Sequence, residues 1–306
     1  MQAPDQQTQA TSIDPATEVG AVALTVADLA RSLDFYTRAL GFTVQQRSDK
    51  SAVLGVDGTP LLLLRERAGA RPWPTDAVTG LYHFAILLPT RADLGRWLRQ
   101  YLALGYPLPG QGDHLVSEAL YLRDPDGHGI EVYRDRPRSE WHWSNGRVRM
   151  AADPVDIRGL LDDATREGKP WTGLPAGTRL GHIHLQVGDI AKAEAFYHGL
   201  MGFDVVAQMP QALFVSAGGY HHHLGLNTWH SRGATAAPPG IASMHFYTIA
   251  LPNDVARAAV IERLDAAGVD TVANGSTIAV DDPWRNRLLL HSGPLQGDEA
   301  ARLLVG

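Results

Sequence analysis

The chain has 306 residues, with 27 Lys and Arg against 33 Asp and Glu, a net charge of −6, 13 histidines and no cysteine. Lack of cysteine excludes disulfide scaffolds, thiolate zinc sites, iron–sulfur clusters and cysteine nucleophiles, so any metal chemistry falls to imidazole and carboxylate. The acidic balance excludes the broad basic field that holds nucleic acid, and the length suits two domains of about 150 residues.

Residues 1–17 are polar and rich in Gln and Thr, with neither the basic start nor the apolar stretch of a secretory signal, and read as a disordered tail. No apolar run approaches the roughly 20 residues that span a bilayer, so no membrane partner and a cytoplasmic location are expected. The first regular element is a strand in which Val22, Leu24 and Val26 alternate. Asp28 follows as a helix N-cap, Leu29, Leu33, Tyr36 and Leu40 line one helical face, and Gly41 supplies the left-handed residue that ends the helix. Three strands come next, at Phe42 to Gln46, Ser51 to Val56 and Pro60 to Glu66, the last two joined by an Asp57-Gly58 turn. This is a βαβββ unit.

The unit recurs. The segment from Ala21 aligns without a gap onto the segment from His182, pairing Val26 with Val187, Asp28 with Asp189, Phe35-Tyr36 with Phe196-Tyr197 and Gly41-Phe42 with Gly202-Phe203. Two generic strand-helix units would share apolar periodicity but not those polar, aromatic and glycine positions. Weaker copies start at His83, with a helix over Ala92 to Leu104 and strands through Glu131, and at His245, with a helix over Asp254 to Ala267 and strands through Leu290. The expected fold is α+β, four βαβββ modules forming paired, curved mixed sheets. Modules one and two occupy 18–134, a linker 135–178, and modules three and four 179–306. The linker is rich in Arg, Trp, Pro and Gly and carries one helix near Val155 to Arg166; Trp141, Trp143 and Trp171 read as its anchors.

Four such modules, with strand starts such as GHIHLQVGD and a closing DPDGHGIEV, resemble the vicinal oxygen chelate superfamily, which includes glyoxalase I, bleomycin-resistance proteins and extradiol dioxygenases. The stretches LYHFAILLPTRADL, DHLVSEALYLRDPDGHGIEVYRDRP and SAGGYHHHLGLNTW look like its catechol 2,3-dioxygenase branch. The resemblance implies ligand positions at the start of each first strand, here Ala21, His83, His182 and His245, and on each last strand, near Leu63, Glu131, the His221-His222-His223-Leu224 region and Leu289. If neighbouring modules paired in sequence, neither half would hold a complete set. If modules two and three face each other, His83, Glu131 and His182 converge, the expected arrangement.

Two imidazoles and a carboxylate leave adjacent metal positions open, which suits non-haem Fe(II), with Mn(II) as the alternative ion. The resemblance then implies oxygenative ring opening of a catechol, with a small aromatic diol and O2 as partners and a homo-oligomer compatible with it. His223 matches the family's acid-base histidine, with His222 in its place if the strand register slips by one. His114 resembles a substrate-contacting histidine, and Tyr121 stands ten residues before Glu131 where the family has a substrate-bonding tyrosine. His184 is a neighbouring pocket group or a substitute ligand, His245 is vestigial or structural, and His128, between glycines, is expected to face solvent. The rivals are a glyoxalase I-like lyase or isomerase with Zn, Ni or Co, whose fourth protein ligand module three lacks, and a metal-free bleomycin-resistance-type binding protein.

Overall fold

The computed structural model describes residues 12–74 and 77–304. Module one comprises β1 (Glu18–Val26), α1 (Leu29–Asp34) continued by a π-helical turn Phe35–Leu40, β2 (Thr43–Arg47), β3 (Ser51–Val56) and β4 (Thr59–Glu66). Module two holds β5 (Gly80–Leu87), α2 (Arg91–Ala103), β6 (Gly110–Asp113), β7 (Ser117–Arg123) and β8 (Gly129–Asp135). The connector carries the short hairpin β9 (Trp143–Ser144) and β10 (Arg147–Val148), then α3 (Ile157–Glu167). Module three consists of β11 (Arg179–Gln186), α4 (Ile190–Glu194) with a π-helical turn Ala195–Leu200, β12 (Asp204–Met209), β13 (Ala212–Ser216) and β14 (Leu224–Asn227). Module four has β15 (Met244–Leu251), α5 (Asp254–Ala266), β16 (Thr271–Asn274), β17 (Thr277–Asp281) and β18 (Arg287–Ser292), and α6 (Gly297–Leu303) follows. None of these helices is long and apolar enough to cross a membrane.

Local chemistry accounts for the element ends. The Asp28 carboxylate accepts from the Arg31 N–H at 2.9 Å, and its repeat partner Asp189 accepts from Lys192 N–H at 2.8 Å. Gly41 closes its helix at φ 90°, and Asp57 and Gly58 both take positive φ, the tight hairpin turn their pairing predicts.

The strands form two eight-stranded mixed sheets. One runs β16-β17-β18-β15-β1-β4-β3-β2 and the other β12-β13-β14-β11-β5-β8-β7-β6, so modules one and four share a sheet, as do two and three. Strand alternation gives each sheet two functions. Val22, Leu24, Phe84, Ile86, Ile183 and Leu185 point into one shared core with the helices. The intervening residues line the opposite faces. On the first sheet Ala21, Ala23, Leu63, Phe246 and Leu289 are sealed by α6 through Leu295, Ala300, Leu303 and Leu304. Each leucine buried there contributes about 1.5–3 kcal/mol.

Modules adjacent in sequence but split between sheets are tied by two matching clasps. Tyr36 donates to the Asp124 carboxylate at 2.9 Å, and Tyr197 donates to Asp282 at 2.9 Å. His128 Nδ1 lies 2.9 Å from Asp124, while Asn286 Nδ2 donates to Asp282 at 2.8 Å. His128 is therefore fully buried rather than facing solvent, because the Tyr36 helix covers its turn. Burial would raise the Asp124 carboxyl, but the His128 imidazole and Tyr36 hydroxyl hold it below its usual range. Asp282 lacks such an imidazole, and burial lifts it.

Three further expectations are revised. Residues 1–11 of the expected tail lie outside the described residues, but Ile13 and Thr17 are buried, and Ile13 N–H donates to Gly202 O at 2.7 Å. Trp141 is buried and Trp171 packs over Gly41, whereas Trp143 is exposed and anchors little. His245 does not hold the inward position of module four. The register pairs Ala23 with Phe246 as it pairs His184 with His83, so Phe246 takes that place.

A folded-state carboxyl held low contributes stability that is full above its unfolded pKa and fades as pH falls through the lowered value. His128→Ala should therefore cost about 1–3 kcal/mol near neutral pH by leaving a buried carboxylate short of a partner, and the deficit should shrink below the carboxylate range. Urea unfolding at both pH values tests this; an equal deficit at each would reject the clasp's electrostatic origin. Gly95 lies where α2 meets α3, and a Cβ there would stand 2.0 Å from Leu160 O. Gly95→Ala should lower stability by about 1–3 kcal/mol, read from the thermal midpoint.

Candidate metal centre and its cavity

The central seam of the second sheet is the antiparallel pair β5 and β11, with His83 opposite His184 and Ala85 opposite His182. Parallel pairing of β5 with β8 sets Glu131 beside Ala85, and antiparallel β7 sets Tyr121 beside Glu131. Period-two alternation then projects His83, His182 and Glu131 from the same face, opposite to the shared core.

The three side chains meet. His83 Nε2 lies 3.0 Å and His182 Nε2 3.1 Å from Glu131 Oε2, and the two nitrogens are 3.3 Å apart. Their exposures are 6%, 1% and 2%, so water does not screen the cluster. This is the only such group of three among the described residues. Two Nε2–H groups aimed at one carboxylate oxygen would crowd their protons, whereas two lone pairs and a carboxylate facing one point suit a cation. The donor set fits a divalent metal with open positions. His182 Nδ1 has no hydrogen-bond partner, so its ring is held by packing against Tyr133 and His222. Burial alone would raise Glu131, but His182 and His83 hold its carboxyl well below the usual range. Burial lowers His83, leaving a neutral imidazole available as a ligand.

Around this cluster opens a cavity of about 540 Å³. His114, Tyr121, His222 and His184 all line it. His114 Nε2 is 2.6 Å from Tyr121 Oη and its Nδ1 is 2.7 Å from Ala151 O, so Nδ1–H donates to the linker carbonyl and Nε2 accepts from the Tyr121 hydroxyl. Linker residues 151–153 are laced to this edge, with Asp113 N–H donating to Asp153 O at 2.7 Å and the return bond at 3.0 Å. Burial raises the Tyr121 hydroxyl well above its ordinary value, so it stays protonated.

The histidine triplet divides between faces. His222 lines the cavity with its ring 4.1 Å from that of His182. His223 does not: it lines a separate small cavity with Tyr220 and Arg138, its Nδ1 accepts from Ala217 N–H at 3.1 Å, and burial pulls it down to about 3. The acid-base expectation for His223 thus loses its geometry, and the one-residue alternative His222 takes the position. Behind it, Asp135 Oδ1 accepts from His221 Nε2 at 2.8 Å, and His221 Nδ1 lies 2.8 Å from His222 Nδ1. With the His221 Nε2–H directed at Asp135, its Nδ1 is placed to accept from His222 Nδ1–H, which leaves the His222 Nε2 lone pair facing the cavity. Sequence reading missed Asp135 and gave His221 only as part of a last-strand ligand region, although Asp135 lies four residues beyond Glu131 on the same strand and so on its face.

His184 is not among the three converging ligands but packs edge-on against the His83 ring, centroids 4.9 Å apart, and against Tyr82, Trp229 and Phe214, and burial keeps it neutral. It pairs with Gly225 on β14 as Ala85 pairs with Glu131, so Gly225 is the counterpart of Glu131 in module three. A Cβ at Gly225 would lie 2.8 Å from the His184 ring. The first sheet shows the same positions emptied of ligands: Ala21, Phe246 and Leu289 replace His182, His83 and Glu131.

A family described as the glyoxalase/bleomycin resistance protein/dioxygenase superfamily matches residues 18–132 and 179–289. A catechol-2,3-dioxygenase of Bacillus subtilis (strain 168) is 47% identical over 277 residues, covering 89% of this chain and 96% of that protein. Among solved structures, a putative dioxygenase from Bacillus subtilis subsp. subtilis str. 168 superposes with TM-score 0.65 at 14% identity, covering 95% of this chain and 89% of that one. Glyoxalase I from Zea mays gives TM-score 0.55 at 17% identity, with 95% of each chain covered. These two structural likenesses speak to the fold alone.

Glu131→Ala should leave circular dichroism and the thermal transition close to wild type while weakening divalent metal binding more than about a hundredfold. Metal content after dialysis is the measurement, and a stoichiometric ion retained by this variant would sink the ligand assignment.

Proposed function

The chain belongs to the glyoxalase/bleomycin resistance protein/dioxygenase superfamily, and on that premise we propose that it is an Fe(II)-dependent extradiol dioxygenase that opens a catechol ring with O2. The observation that carries this reading is the buried meeting of His83, Glu131 and His182 at the floor of a cavity, with no fourth ligating side chain at the matching position, Gly225. The printed name of the relative at 47% identity supports it.

His83, Glu131 and His182 would hold the metal. When bound, iron supplies adjacent open positions for the two diol oxygens and O2, and the redox chemistry between them. The protein's own groups supply proton handling and alignment. His222 Nε2, held as an acceptor through His221 and Asp135, takes a proton as the diol ionises and can return it when the ring rearranges. Tyr121, anchored by His114, gives the diol a fixed hydrogen-bonding partner and so sets the ring's orientation. His222 and the three ligand side chains are themselves buried, and the low local dielectric strengthens their contacts.

The lyase reading has weaker support here. A glyoxalase-like centre commonly uses a fourth protein ligand on the facing strand, and His184 packs over Gly225 where that side chain would stand. Metal-free sequestration would leave the two imidazoles and the buried carboxylate without a use.

Anaerobic loading with Fe(II), followed by catechol and air, should yield a yellow ring-fission product; no product from fully loaded protein would overturn the proposal. His222→Ala and Asp135→Asn should both keep iron and lower kcat about 10²-fold or more. Wild-type turnover in either would remove the relay from the mechanism.

A further inference from the structure

The cavity is sharply divided in chemistry. Its polar groups gather at the metal end, where His114, Tyr121 and His222 stand around the ligand cluster. Much of the remaining wall is apolar, with Val116, Met150, Phe214, Met209 and Trp229 on it, and Trp229 packs against the rings of Tyr82 and His184. Met209 ends β12 and Trp229 follows β14; Thr228 N–H donates to Gln211 O at 2.9 Å, which sets these two segments side by side. Both side chains are large and apolar, yet they remain 46% and 42% exposed. Two such residues meeting at one cavity differ from apolar side chains scattered singly over a surface.

Size points the same way. A cavity of about 540 Å³ falls within the roughly 300–1,000 Å³ that encloses drug-sized ligands, and catechol is a single ring. Charge narrows the class further. Among the described residues Arg123 is the only Lys or Arg on the wall, it is exposed, and its guanidinium donates to Gly127 O at 2.8 Å. A carboxylate on the ring would be desolvated against apolar surface without a partner.

We propose that Met209 and Trp229 form a subsite for an apolar ring substituent, so that the preferred substrate is an uncharged alkyl- or aryl-catechol rather than catechol itself. This rests on the dioxygenase reading of the same site. The substituent leaves the diol end and covers the Met209 and Trp229 side chains, and each methylene buried there is worth about fourfold in kcat/KM.

The test compares catechol, 3- and 4-butylcatechol and 3,4-dihydroxybenzoate on iron-loaded protein, alongside anaerobic binding of the same compounds followed by calorimetry. At least one butylcatechol should exceed catechol in kcat/KM by about tenfold or more, and 3,4-dihydroxybenzoate should fall well below it. In Trp229→Ala and Met209→Ser the butylcatechol-to-catechol ratio should drop about fivefold, in turnover and in anaerobic affinity alike. Catechol matching both butylcatechols in the wild type, or a ratio unmoved in both variants, would overturn the subsite. Failure of every catechol to open would instead overturn the dioxygenase reading, and Trp229-dependent anaerobic binding of a butylcatechol would still support the subsite.

Discussion

The antiparallel pairing of β5 with β11 is the constraint on which the site depends. It joins modules that are separated by a long connector, and it does so in the register that sets His83 opposite His184 and His182 opposite Ala85. A slip of one residue would turn both imidazoles toward the shared core and bring Phe84 and Ile183 to the cavity. That register is fixed from the other side of the sheet, where Phe84, Ile86, Ile183 and Leu185 are fully buried. Hydrophobic burial thus positions the candidate ligands, although none of them belongs to that core.

Much of this was legible in the residues. The gapless repeat and the period-two strands carried the modules, and the argument over complete ligand sets carried the pairing of two with three. The failures share a cause. His128 sits in a turn between glycines, which reads as exposed; it is buried because a helix from another module closes over it, a contact that no local pattern encodes. His223 and His245 were each displaced by one residue. In the first case Gly218 and Gly219 both take positive φ just before the triplet, and this turn decides which histidine faces the cavity. In the second, repeating the His-Phe dipeptide suggested a common register that the β1–β15 ladder does not keep. The Asp135–His221–His222 chain escaped notice because it is assembled from two modules.

The two sheets show how one architecture can serve opposite ends. On the first, small and apolar residues at the ligand positions accept α6, and the face becomes a second hydrophobic core. On the second, buried polar groups remain and the face stays open as a cavity. Buried imidazoles and a carboxylate are costly to enclose without a cation; the sealed face adds a second hydrophobic core that offsets this, and the Tyr–Asp clasps tie the two sheets together.

Gly225 places a further constraint on the second sheet. A carboxylate there would collide with the ring of His184, and shrinking His184 alone would leave a void against Trp229 and Phe214. Neither substitution is a viable first step, so the two positions are epistatic. The second sheet's three candidate ligands are in this sense locked in as a set: placing a fourth side chain at this position would require both changes together, and either substitution alone would meet that barrier first.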